Sequence, residues 1–395
     1  MATIGGPNTE KDGLVFGYDT GYGVNNTATN SRYYQGKPTS NLSNDMTKYF
    51  NNWSGMTGST SYYTTDRGNQ GIHLITTNSG GVQFYASSTI NNISANTQYT
   101  VSATIKYSGT TPHVNMFYIR QYHNGSQITE GGKFSTSFMI DLGGGWYRAY
   151  RTFTTTPTTS YINLQGYQYS NGVNLKIQDL QFEIGNQLSP YIGSLGTRTS
   201  TESLIDLKRT TDIDVSNVSF DSTGQPTFDG TDDYIDVTSM SSFNLHNITI
   251  LAKPFETITP SYLGYYPQWM EQSGFYIAQG PWTGAATNET FHIWNSNGTM
   301  THIRDNISND WHQFVWNWNG TTYDCYIDGI QKTTYPRSNG HANLITTTTN
   351  TLRLGANFST YFYKGDMSVI KMYDRALSAD EIQQNFNAYK NRFDI

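Results

Sequence analysis

Trp311-His312-Gln313-Phe314-Val315-Trp316-Asn317-Trp318 runs into Asn319-Gly320, and the chain returns as Tyr323-Asp324-Cys325-Tyr326-Ile327 before Asp328-Gly329. Two runs rich in aromatic and β-branched residues, separated by a turn pair that favours positive φ, read as a β-hairpin with a type I′ turn at Asn319-Gly320. Asp328-Gly329 marks the next tight turn. Upstream, Tyr234-Ile235-Asp236-Val237, Ile248-Thr249-Ile250-Leu251-Ala252, Gly274-Phe275-Tyr276-Ile277-Ala278 and Phe291-His292-Ile293-Trp294 are strands of the same kind.

The pattern extends into the N-terminal half. Gly13 to Tyr18 is a short apolar strand, followed by a polar linker from Asp19 to about Ser40. From there to Ile192 strands recur: Tyr99–Tyr107, which alternates apolar and polar, then Val114–Ile119, Trp146–Phe153 and Leu175–Ile184. Short strands at this spacing predict a two-sheet sandwich. A second linker, Gly193-Ser194-Leu195-Gly196-Thr197, leads to the C-terminal β region. One helix is signalled. Ser378-Ala379-Asp380-Glu381 is a capping box, and Ile382, Phe386 and Tyr389 fall on one face that should dock on a sheet. No heptad run or repeat period is present.

Composition supports an all-β chain. The 395 residues include 30 Tyr, 19 Phe and 8 Trp, with only 14 % charged residues. Tyr- and Thr-rich chains poor in Ala, Leu and Glu form sheets rather than helix bundles. The length predicts two domains, possibly three. Net charge is −6, and no basic cluster is visible, which argues against a nucleic-acid partner. No apolar run reaches the length of a membrane helix. A lone Cys325 excludes an intrachain disulfide and reads as a packed strand residue. The N-terminal residues carry neither the basic nor the apolar region of a signal peptide. Sequons such as Asn92, Asn124, Asn247 and Asn319 therefore read as by-products of Asn/Thr richness.

The C-terminal half resembles the concanavalin A-like lectin/glucanase sandwich in its laminin-G-like form. The residues that carry this are Phe228-Asp229-Gly230-Thr231-Asp232-Asp233-Tyr234-Ile235, the hairpin above, and Val369–Ser378 running into Glu381-Ile382. The resemblance implies that Asp12–Asp19 belongs to the same sandwich. It assigns residues 1–36 and 197–395 to one discontinuous domain, with 37–196 inserted. Such insertions are tolerated where chain ends lie close together at a surface. The insert resembles carbohydrate-binding-module jelly rolls through Gly145-Trp146-Tyr147-Arg148, Leu180–Gly185 and Ser189-Pro190-Tyr191-Ile192. Both domain types occur in virion proteins of tailed bacteriophages. Such proteins assemble in the host cytoplasm and are exposed on the particle, which reconciles a surface-type composition with the missing leader.

Catalysis finds little support. Glycoside hydrolysis needs two carboxylates across a cleft, and glucanases of this fold place them in a Glu-x-Asp-x-Glu pattern that does not occur here. Glu271 sits among aromatics without a partner at suitable spacing. The eight His are scattered, without zinc-ligand spacing. No cofactor is expected. Calcium, where bound, would fall to Asp229, Asp232 and Asp233, residue types that more often serve as turn formers.

Sugar binding needs exposed aromatic faces beside polar groups. Tyr265, Tyr266 and Trp269 in Tyr262–Trp269, with Trp282 after them, are the first candidates; Tyr167 and Tyr169 are their equivalents in the insert. Trp146, Trp311 and Trp316 lie inside strands and are expected in the core. The resemblance thus implies a non-enzymatic virion subunit (tail fibre or tip, or head fibre or decoration), binding host surface glycans and other virion proteins, with a homotrimer by analogy. A purely architectural subunit and a polysaccharide depolymerase are the alternatives.

Overall fold

The computed structural model describes residues 9–20, 37–43, 51–53, 58–65, 70–77, 81–85, 89–109, 117–133, 139–168, 172–186, 188–189, 191–193, 195–220, 225–254, 268–272, 274–279, 289–295, 300–305, 307–336, 343–357 and 361–395. The chain forms two compact units, Met1–Pro38 with Ser200–Ile395, and Thr39–Thr199. No described helix is long and apolar enough to cross a membrane.

The first unit packs two eight-stranded antiparallel sheets face to face. In one, Lys364–Tyr373 pairs along one side with Asn247–Pro254. Its other side is shared by Pro226–Asp229 and Leu14–Asp19, so a strand from the start of the chain completes a sheet made near its end. His312–Trp318, Tyr323–Ile327 and Ile330–Lys332 follow in order beyond Asn247–Pro254. In the other sheet, Asp212–Asn217, Tyr234–Thr238, Leu352–Leu354, Gln268–Gln272, Phe275–Gln279, Glu289–Asn295, Met300–Asp305 and Thr334–Pro336 lie side by side. Every second residue turns inward. Phe16, Tyr18, Ile250, Phe314 and Trp316 from the first sheet thereby meet Ile235, Trp269, Ile277, Phe291 and Ile293 from the second.

The helix Ala379–Phe393 covers the outer face of the first sheet. Ser378 caps it in an extended conformation, and the reciprocal Ser378–Glu381 capping box is formed. Glu381 also takes both ends of the Arg375 guanidinium at 2.7 and 3.0 Å. That pairing holds its carboxyl down at about 2. The docking face differs from the expected one. Asn385 is buried with Ile382, Tyr389 and Phe393, and Phe386 is only half-buried. Asn385 earns its place through hydrogen bonds: its Oδ1 accepts from the Glu10 amide at 2.7 Å. With the helix on one side and the second sheet on the other, Asn247–Pro254 is buried along nearly its whole length.

The hairpin forms, but its turn chemistry moves. Asn319 closes a four-residue loop with its side chain, accepting from the amides of Thr321 and Thr322 at 3.0 Å each. The two-residue turn with positive φ at both positions is Asp328-Gly329 (φ 53° and 74°), joining Ile327 to its partner Ile330. Cys325 is a free, buried core residue.

The second unit has a six-stranded sheet (order Met139–Gly143, Trp146–Thr154, Gln98–Gly109, Val173–Ile184, Gln70–Thr76, Gly58–Thr64) and a five-stranded one. Its core includes Ile72, Leu74, Val101, Ile105, Leu175 and Ile177 from the first and Ile119, Ile162 and Leu164 from the second. The chain enters on Thr39–Ser40 and leaves on Thr197–Arg198, and these two segments pair with each other. The polar members of its sequence motifs stitch the fold. Arg148 is buried, donating to Thr104 Oγ1, Ser102 Oγ and the Asp179 carbonyl. Glu183 accepts from the Ser189 amide and hydroxyl, and Gln181 accepts from the Ile192 amide.

Trp316 is in the core as expected. Trp311 instead packs outside the sandwich, 4.6 Å from the Phe393 ring under the helix. Trp146 is half-exposed on the outer face of its sheet, not in the core.

Candidate functional site

The aromatic loop residues expected to bind glycans are only partly placed. Tyr265, Tyr266, Trp282 and Tyr169 lie outside the described residues, and so does the Tyr167 side chain, although its backbone pairs with Gln83. Trp269 is a correction. It is fully buried, with its ring edge-on to Phe291, Phe314 and Tyr363, and offers no face to a ligand. The bulge between Gln268 and Met270 lets both Trp269 and Met270 enter the core, which defeats a simple alternating reading.

Asp229, Asp232 and Asp233 do converge, with one carboxylate oxygen of each lying within 4.8 Å of the others. Asp229 Oδ1 accepts from the amides of Thr231 and Asp232, and Asp233 Oδ2 from the Asp229 amide. Burial, with the neighbouring Asp229 and Asp232 charges, holds the Asp233 carboxyl above its ordinary range; the Asp229 amide acts the other way. The donor set suits a hard oxygen-seeking cation such as calcium, with one oxygen left on each of Asp229 and Asp233. The bonds formed are those of a turn closed by its own aspartates.

A different constellation emerges from strand register. Across five adjacent strands of the second sheet, Asp236 lies opposite Arg353, Arg353 opposite Glu271, Glu271 opposite Tyr276, and Tyr276 opposite Trp294. Opposed residues share a sheet face. Their chain neighbours Ile235, Leu352, Leu354, Phe275, Ile277 and Ile293 are core residues. The row therefore points away from the core, and all five of its members are half-buried.

Its geometry is defined. Arg353 grips both oxygens of Asp236 at 2.8 Å and stacks over the Tyr234 ring, 3.7 Å from its centroid. The hydrogen bonds it donates to Asp236 push the guanidinium pKa up, so it stays charged. Tyr276 and Trp294 stack with centroids 5.5 Å apart and planes within 16°. His292 meets the Tyr276 ring edge-on, with centroids 5.9 Å apart and planes 78° from parallel. Burial, aided by His302 across the ladder, lowers the His292 pKa to about 3, so it is neutral at ordinary pH. A paired aromatic platform beside a fixed ion pair and a second carboxylate can bind a sugar ring: C–H groups on the aromatic faces, hydroxyls on the charged groups. Arg353 holds both oxygens of Asp236.

The sequence hint was the segment Phe291-His292-Ile293-Trp294, where Phe291 and Ile293 suffice for a core and His292 and Trp294 are left for the other face. Arg353 and Asp236 carry no such hint, being 117 positions apart.

Residues 229–383 match the family model of the concanavalin A-like lectin/glucanases superfamily, in its laminin-G form. No curated protein matches the chain. Among solved structures, similarity extends to the receptor-binding domain of botulinum neurotoxin type G, at 17 % identity over 47 % of this chain and 48 % of that one, with a TM-score of 0.36. The binding domain of paraclostridial mosquitocidal protein 1 shows 15 % identity over 47 % and 49 %, with a TM-score of 0.35. Domain 4 of AbnA, a GH43 extracellular arabinanase from Geobacillus stearothermophilus solved with arabinotriose, shows 16 % identity over 42 % and 79 %, with a TM-score of 0.31. The chain spans about half the length of the two toxin domains.

Proposed function

We propose that this protein is a non-enzymatic glycan-binding protein exposed on the particle of a tailed bacteriophage, in a tail fibre or tip or in a head fibre or decoration. There it attaches the particle to host surface glycans. The observation that carries the glycan reading is the row Asp236–Arg353–Glu271–Tyr276–Trp294 on the outer face of a lectin-type sandwich. The virion placement is supported by the sequence motifs and by a laminin-G-like unit interrupted by a second β unit. A single site of this kind binds weakly. Many copies on a particle, as trimers or otherwise, raise avidity without new contacts.

The test is binding of fluorescently labelled protein to intact bacterial cells, with and without their surface polysaccharide. Binding should depend on the polysaccharide and fall about tenfold in Trp294→Ala, the loss expected for one stacking platform. Absence of binding even after artificial multimerisation would leave an architectural virion subunit as the better reading.

A further inference from the structure

The second unit carries a row of its own. Across four adjacent strands of its six-stranded sheet, Trp146 lies opposite Lys106, Lys106 opposite Lys176, and Lys176 opposite His73. The flanking residues Ile105, Leu175, Ile177, Ile72 and Leu74 are core, so this row faces away from the core. All four of its members are half-buried.

Three features of the row are costly or unusual for a merely structural face. Like charges directly opposite on neighbouring strands destabilise a sheet, yet Lys106 and Lys176 are so placed. Among the described residues neither ammonium has a carboxylate within ion-pair distance. Each instead stands over an aromatic face, Lys106 at 5.6 Å from the Trp146 ring centroid and Lys176 at 5.1 Å from that of Tyr63. Second, Tyr63 lies flat on the sheet. It crosses Gly71, where a Cβ would sit 2.4 Å from its Cζ, and its hydroxyl donates to Gln178 Oε1 at 2.9 Å. Third, His73 and Asn174 beside Lys176 are joined by a 2.7 Å hydrogen bond and present further polar groups. The surrounding unit agrees in sign: residues 39–199 hold nine Lys and Arg against six Asp and Glu, in a chain of net charge −6.

We propose that this face is a second binding site, specific for acidic polysaccharide. Trp146 and Tyr63 supply ring platforms at its two ends, Lys106 and Lys176 engage carboxylate or sulfate groups between them, and the amide and imidazole groups meet hydroxyls. Single-stranded nucleic acid also combines stacking with charge. It calls for a longer basic track along its backbone than two central lysines provide. The absence of a basic cluster in the linear sequence is corrected here by register, because Lys106 and Lys176 are 70 positions apart.

The test uses the full chain immobilised at low salt, with polygalacturonate, polysialic acid and chondroitin sulfate as probes. Neutral dextran and an oligo-deoxythymidine are the comparisons. At least one acidic polymer should bind about tenfold more tightly than dextran or the oligonucleotide, and binding should weaken as salt rises. The double variant Lys106→Gln/Lys176→Gln should lose about tenfold in affinity. Gly71→Ala, which lifts the Tyr63 ring off the sheet, should lose part of it. Both variants should keep the wild-type thermal midpoint within a few degrees. The proposal is overturned if no acidic polymer binds, if the lysine variant keeps its affinity, or if dextran or the oligonucleotide binds as well. Trp294→Ala on the first unit should leave this binding intact. Failure of the cell-attachment reading is thereby told apart from failure of this one.

Discussion

Lys371 illustrates how much a single side chain can be made to bear. It is buried between the first sheet and the C-terminal helix, its ammonium donating to Thr9 Oγ1 and standing 5.3 Å from the Tyr389 ring centroid. Burial lowers its pKa to about 7, with Asp19 and Glu10 pulling it up and Lys11 pulling it down. Folding therefore strips a proton from this lysine between about pH 7 and its unfolded value near 10.5. In that window the unfolded chain binds more protons, so stability rises with pH; below it the fold carries the full cost of a buried charge. Lys371→Met should raise stability most at pH 6 and much less at pH 9.5, read as the difference in urea midpoints between variant and wild type. A gain independent of pH would contradict this. Asn317 makes the opposite case. It is buried, with its amide donating to the Leu377 carbonyl at 2.9 Å and its oxygen accepting from the Leu377 and Asn247 nitrogens at 2.8 and 3.0 Å. Asn317→Ala should cost about 2–4 kcal/mol in chemical denaturation, since it orphans several buried groups at once.

Among the elements, the C-terminal helix was the most legible, because its signals are local. A capping box is written within four residues and reads the same in the chain and in the fold. Ser378→Ala should cost about 1 kcal/mol, seen as a lowered urea midpoint with the slope unchanged. Strands were legible as strands wherever one face is core. What a strand places beside its neighbour was not, since register is decided by partners tens to hundreds of residues away. Trp269 looked like a loop aromatic because Pro267 and Gly264 precede it, and a bulge sent it inward. Trp146 looked like core because it stands in a strand, yet the sheet turns it outward. Asn319-Gly320 has the composition of a two-residue turn, but the asparagine side chain found a longer loop to close. The two polar rows come entirely from pairings of this kind.

At the scale of the whole molecule, the second unit begins and ends on the paired segments Thr39–Ser40 and Thr197–Arg198, so the first unit needs only a short bridge in its place. Replacing residues 39–199 with a few Gly and Ser should leave a folded first unit, recognisable by a retained near-ultraviolet circular dichroism signal from its buried tryptophans and a single cooperative melt. Loss of that signal would mean that the first sandwich depends on its insert. The same arrangement sets an order of events during synthesis. Tyr18 is made 349 residues before Met367, whose carbonyl its phenol reaches. At ribosomal speeds of about 5–20 residues per second, the first strand waits about 20–70 s for its partner strand. In that interval the second unit can fold and draw Pro38 and Ser200 together, reducing a long chain closure to a short one. The insert then serves as a clamp on the nascent chain: the time to synthesise the partner strand sets how long the first apolar strand stays unpaired, and a folded insert shortens the loop that must close once that partner exists.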